Sequence, residues 1–149
     1  MRIGIADTMF AQVDMAKVAL ETIGEIHQTE RYTVPGFKDL PVACKILIEK
    51  HNCDIVIAFG WVGNTNLDEM CAHEANTGLI SVEIETSIHI LKVFVHSQES
   101  EDPDTLRKIT EDRARKHTLN AISLLKGKTE LTPLAGQGQR QGGEHRGAL

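Results

Sequence analysis

Aromatic residues make up only 4% of this 149-residue chain, with one Trp and one Tyr. So few rings argue against the stacked platforms of single-stranded nucleic-acid binding. Positive charge is also short: 16 Lys and Arg stand against 21 Asp and Glu, for a net charge of −5. No basic field marks the chain for nucleic acid or an anionic membrane. No apolar run nears the ~18 residues of a membrane span. The N-terminal MRIGIADTMF lacks the long apolar core of a signal peptide and reads as a strand, so a cytoplasmic protein is expected. Cysteine is limited to Cys44, Cys53 and Cys71. An odd number without paired spacing argues against a disulfide framework, no CxxC or zinc-type Cys/His pattern is present, and buried free thiols are expected. GxxxxGK[ST], GxSxG and a strand-borne GxGxxG are missing too; the glycines of GQGQRQGG lie in a polar tail with no strand before them.

What is present suits one core. Hydrophobic residues are 41% of the chain, enough for a single domain over residues 1–126. Residues 127–149 form a polar Gly/Gln-rich tail, expected to be loosely ordered or to pack on the domain or a neighbouring subunit. Strand and helix patterns alternate along the domain. RIGIAD (2–7) reads as a strand, and Asp14 as the cap of a helix carrying Ala16, Ala19, Leu20 and Ile23. HQTERYTV (27–34) alternates weakly, as an edge strand does. A second helix starts near Pro41 with the stripe Leu40, Ala43, Cys44 and Leu47. DIVIAF (54–59) is nearly all apolar, the mark of a parallel strand covered on both faces, and Gly60 is expected to end it. Residues 66–87 fit a third helix with Cys71, Ala75, Gly78, Leu79 and Val82 inward, 89–96 a fourth strand, and 104–125 a long helix. In that last helix Ala114, His117, Thr118, Ala121, Ile122 and Leu125 are expected inward. The order predicts an α/β three-layer sandwich: a four-stranded parallel sheet with helices on both faces.

Ligands of such sheets sit at the carboxyl ends of the strands. That rule gathers residues 7–10, 34–39, 60–65 and the stretch after Phe94 at one rim. TVPGFKDLPVACKIL (33–47) crosses this rim as a loop stiffened by Pro35, Gly36 and Pro41. Such a loop can present backbone polar groups to a planar ligand or simply connect a strand to a helix. Lys38 and Asp39 suit a ligand's polar edge, or a solvated pair with a helix cap. Phe10 and Trp61 suit ring stacking or a core contact. Histidine as a residue type titrates near neutrality, so His73 suits acid–base work, or else a place on the helix surface or in the core. His89 and His96 flank strand four, and His96 lies at its carboxyl end.

ADTMFAQVDM (6–15), TVPGFKDLPVACK (33–45), CAHEANTGLI (71–80), HILKVFVH (89–96) and LTPLAGQGQRQGG (131–143) resemble the archaeal-type riboflavin synthase family, which is related to lumazine synthase. The resemblance implies a flavodoxin-like fold and a homopentamer with active sites between subunits. It implies a dismutation in which two 6,7-dimethyl-8-ribityllumazine molecules exchange a four-carbon unit, giving riboflavin and 5-amino-6-ribitylamino-uracil. It further implies a divalent cation, Mg2+, and no redox cofactor. Carried onto this sequence, the catalytic set is His73, Lys38 and Asp39. The substrate-binding set is Thr8, Phe10, Val34, Pro35, Gly36, Gly60, Trp61, Glu74 and His96, the last from a neighbouring subunit. One stretch departs from the related lumazine synthases, which carry a TxH motif after strand three whose histidine acts in catalysis. Here that stretch is GNTNLDEM (63–70), and Leu67 stands at the histidine's place.

Overall fold

Alternation along one strand organises the molecule. The structure, a computed structural model, describes residues 1–141 and 143–149. Strand β3 (Ile55–Val62) is buried at every position. Successive side chains of a strand point to opposite faces. Ile55, Ile57, Phe59 and Trp61 therefore fill one layer, and Val56 and Ala58 the other. Only a central strand needs such a sequence. β3 lies between β1 (Arg2–Thr8) and β4 (Ile90–His96), and β2 (Gln28–Val34) closes the far side of β1. All pairings are parallel and the order is β2-β1-β3-β4. As an edge, β2 buries only Val34.

Helices α1 (Met15–Ile23) and α4 (Pro103–Lys126) cover the first layer through Met15, Ala16, Ala19, Ile23, Ala114 and Ala121. Helices α2 (Leu40–His51) and α3 (Asn66–Thr86) cover the second through Leu40, Ala43, Cys44, Leu47, Leu79 and Val82. The helix starts follow from side-chain caps, which satisfy N–H groups that lack helical partners. Asp14 accepts from the Lys17 N–H at 2.9 Å, and Asp102 from the Thr105 N–H at 2.9 Å. Thr65 and Asp68 form a reciprocal capping box on α3. Because α1 leaves β1 toward one face and α3 leaves β3 toward the other, their loops part at the carboxyl ends of β1 and β3. That crevice is where sheets of this kind bind ligands.

Three expectations change. β3 does not end at Gly60 but runs to Val62, with Gly60 paired to Phe94 of β4. A Cβ at Gly60 would lie 2.8 Å from the Phe94 ring, so the glycine seats an aromatic ring rather than stopping a strand. On α3 the buried residues are Ala72, Ala75, Leu79 and Val82, while Cys71 and Gly78 are half-buried. On α4 the inward stripe begins earlier, at Leu106 and Thr110, and His117, Ile122 and Leu125 are half-buried. Cys44 and Cys53 are buried, and burial pushes the Cys44 thiol up to about 12. The tail makes a short 3-10 turn at Thr132–Leu134 and is otherwise irregular. Among its described residues Gly127, Leu131 and Gln141 are half-buried and the others are exposed.

The exit of β4 is braced by an ion pair. Arg113 of α4 holds Glu99 through both terminal guanidinium nitrogens, at 2.7 and 2.5 Å, and also donates to the Phe94 carbonyl at 3.0 Å. Glu99 accepts from the His96 N–H at 2.8 Å. Burial pushes the Glu99 carboxyl up, but these hydrogen bonds and the nearby positive charge outweigh it, and the group sits below its usual range.

Two outcomes follow for stability. Gly60→Ala should cost about 1–3 kcal/mol through the clash with Phe94, and Phe94→Leu in the same chain should recover part of it, read as Tm. Arg113→Met should cost about 1–3 kcal/mol near neutral pH by stranding Glu99. A depressed carboxyl stabilises above its unfolded pKa and loses that contribution as pH falls through its folded value. The gap between wild type and Arg113→Met should therefore shrink in urea melts taken at lower and lower pH.

Candidate active site

The stiff loop after β2 is tied down from three directions. The Met9 N–H donates to the Val34 carbonyl at 2.8 Å, joining it to the loop after β1. The Asp39 N–H donates to the Gly36 carbonyl at 3.1 Å, closing a 3-10 turn over Phe37–Asp39. Phe37 turns inward, its ring centroid 6.0 Å from that of Phe94. Lys38 turns outward, with Nζ 3.0 Å from Glu74 Oε2 on α3. That hydrogen bond, with a smaller contribution from Cys71, holds the Lys38 ammonium above its ordinary range. Both side chains of the pair are largely exposed, so water screens their attraction and the contact orients more than it stabilises. Pro35 and Asp39 are exposed, and Asp39 sits at the start of α2 without making a side-chain cap.

Beside this loop, β1 ends in Thr8, which is 6% exposed. Its Oγ1 is buried with no hydrogen-bond partner among the described residues. A buried hydroxyl left unpaired is costly and marks a place for a ligand or water. Phe10 follows, 57% exposed in a polar loop, so its ring is free to stack. On the other side of the rim, His96 at the end of β4 places Nδ1 2.7 Å from Glu69 Oε1 of α3. Gln98 Nε2 donates to the same oxygen at 3.2 Å. His73 lies one turn further along α3, exposed, beside a shallow depression it shares with Glu69, Met70 and Glu74.

The α1 side of the rim is different. A groove of about 650 Å³ runs past Gln12, Asn64, Ser97, Gln98 and Arg107, with Trp61 at its base. Trp61 is only 2% exposed. Its indole N–H donates to Ser97 Oγ at 2.9 Å, and that hydroxyl donates to the Val62 carbonyl at 3.0 Å. Trp61 is thus a core ring with its edge at the groove, not a free stacking platform. Gly60 lies under Phe94 and not on the open rim. A smaller cavity of about 280 Å³ is lined by Asp7, Asp14, Arg31 and Thr33 among others. There the Arg31 guanidinium reaches Asp7 at 2.6 Å and Asp14 at 3.0 Å, and Thr33 donates to Asp7 at 2.7 Å. This network pins the edge strand to β1 and to the start of α1.

The structure therefore joins Lys38 to Glu74, sets the loop of Val34, Pro35 and Gly36 against that of Thr8 and Phe10, and couples His96 to α3. Sequence reasoning passed over Glu69, Arg31 and the Arg113–Glu99 brace. Glu69 carried a usable signal. Four residues before His73, it shares that histidine's helix face.

Residues 1–129 match the family model described as 6,7-dimethyl-8-ribityllumazine synthase. A relative from Archaeoglobus fulgidus named riboflavin synthase is 46% identical over 144 residues, covering 95% of this chain and 94% of its own. One of the same name from Methanothermobacter marburgensis is 48% identical over 145 residues, again covering 95% and 94%. A 6,7-dimethyl-8-ribityllumazine synthase from Prochlorococcus marinus is 34% identical over 79 residues, covering 52% and 50%. The chain thus belongs to the 6,7-dimethyl-8-ribityllumazine synthase family and is similar over nearly its whole length to archaeal relatives named riboflavin synthase.

Proposed function

We propose that this chain is a riboflavin synthase, a transferase that dismutates two 6,7-dimethyl-8-ribityllumazine molecules into riboflavin and 5-amino-6-ribitylamino-uracil. The observation that carries this reading is end-to-end similarity to riboflavin synthases, against half-length similarity to a lumazine synthase. Leu67 adds to it. It stands where lumazine synthases resemble one another in a catalytic histidine, and its side chain cannot move a proton.

The reaction asks for little covalent help and much positioning. Two flat rings must be held face to face in opposed orientation, which is where an enzyme gains most over solution. Phe10 and the Val34-Pro35-Gly36 wall provide one face. Thr8 Oγ1, Lys38 and Asp39 serve the polar edge and the ribityl chain, with Glu74 setting the direction of Lys38. An imidazole at the rim, His73 or His96, takes the proton of the substrate's acidic methyl group.

The second ring needs a second wall, and a neighbouring copy in a homopentamer supplies it. Exposed Met9 and Phe10 at the rim, and Leu67 and Met70 on the adjoining turns of α3, support that assembly. The polar tail is assigned to the same neighbour. Among the described residues no three His, Cys, Asp or Glu side chains converge to hold a metal. A resident magnesium site within one chain does not fit, and no step is assigned to the ion. Among them, too, no helix is long and apolar enough to cross a membrane.

The deciding assay incubates the purified protein with 6,7-dimethyl-8-ribityllumazine, with and without magnesium, and separates products by chromatography. Riboflavin and the ribitylamino-uracil should appear in equal amounts. Tight binding without products would make the chain a lumazine or flavin carrier instead. Lys38→Ala should raise KM by about tenfold, the loss of one charge-assisted hydrogen bond, with a smaller effect on kcat.

A further inference from the structure

Of the two imidazoles near the rim, only one has, among the described residues, a side chain to orient it. Among the described residues no side chain hydrogen-bonds the His73 ring, so nothing there selects its tautomer. His96 is held on several sides. Its Nδ1 lies 2.7 Å from Glu69 Oε1, and Gln98 at 3.2 Å steadies the same carboxylate. Its backbone N–H is fixed by Glu99 at 2.8 Å, and Glu99 by Arg113. The His96 side chain is still 32% exposed, so a ligand at the rim can reach it. The charged groups around it are Glu69 from α3, Glu99 from the turn after β4 and, behind Glu99, Arg113 from α4.

A carboxylate offers only lone pairs, so the nitrogen facing Glu69 must carry the hydrogen. In the neutral ring this leaves Nε2 with a lone pair, facing away from α3's carboxylate. We propose that His96 Nε2 is the proton carrier of the dismutation and that Glu69 is its positioning residue. This deepens the riboflavin synthase reading and rests on it. In the step, a C–H bond of the donor's ring methyl breaks and its electron pair passes into the electron-poor ring. The proton bonds to Nε2, and Glu69 stabilises the imidazolium so formed. As a C–N bond between the transferred four-carbon unit and the departing uracil breaks, its electron pair stays on the nitrogen and the imidazolium returns the proton there. An orienting carboxylate behind a catalytic imidazole acts by fixing tautomer and direction and by supporting the positive charge, without taking the proton itself.

Two measurements test it on the full-length protein. Long-range 15N–1H correlation spectra should show His96 protonated on Nδ1 in the wild type. Glu69→Ala should shift that proton to Nε2, whereas Glu69→Gln, which keeps an acceptor of the same shape, should hold the tautomer and guard against misfolding. In the lumazine assay His96→Gln should lower kcat by about 10²–10⁴-fold, the usual contribution of general base catalysis. Glu69→Gln should lower it by about 10–100-fold, both with KM changed far less. A wild-type His96 protonated on Nε2, or full kcat in His96→Gln, overturns the proposal. So does loss of turnover in His73→Gln with turnover retained in His96→Gln, which would hand the proton to His73. A wild type that makes no riboflavin sinks the functional reading itself, and the spectra would then report the pair as structural only.

Discussion

The rim depends on β3 having no polar side chain to accommodate. A strand buried on both faces must supply apolar groups at every position, and the run from Ile55 to Val62 does so. Once β3 is central, the neighbouring strands and the two helical layers have little freedom. β1 and β4 must flank it, and the connections that follow β1 and β3 leave toward opposite faces. The crevice between them is a by-product of burying apolar area, with chemistry confined to the few residues after each strand.

Those few residues are held by polar contacts that each cross between elements. Met9 to Val34 joins two loops, Lys38 to Glu74 ties loop to helix, and His96 to Glu69 ties strand end to helix. Arg31 to Asp7 and Arg113 to Glu99 do the same on the α1 and α4 side. The site is thus positioned by the sheet and pinned by pairs. Partly exposed pairs add little to overall stability, but each removes a degree of freedom from a group at or beside the rim.

Most of the fold was legible because periodicity reports burial. The stripe Leu40, Ala43, Cys44 and Leu47 is buried in full, the edge character of β2 is real, and Asp14 caps α1. The errors share one cause. Gly60 reads as a terminator when only its neighbours in sequence are considered, yet its role is set by Phe94 on the adjacent strand. Trp61 has two readings until the neighbouring layer and Ser97 are in place, and then it has one. Glu69 looks like one more acidic residue in a first helical turn until the end of β4 arrives beside it. Local pattern specifies faces and breaks; partners on other elements come only from the order of strands and the register of helices.

The glycine beneath Phe94 carries a genetic consequence. Phe94 packs against Phe37, and Phe37 anchors the loop after β2. A side chain at position 60 would push that ring and, through it, the loop. In a host that must make its own vitamin, a screen for lost growth would then single out a buried glycine whose place is set by a ring of the core. Intolerance at such a position would report how tightly the binding loop is seated on the core, and would be misread as catalysis if taken at face value.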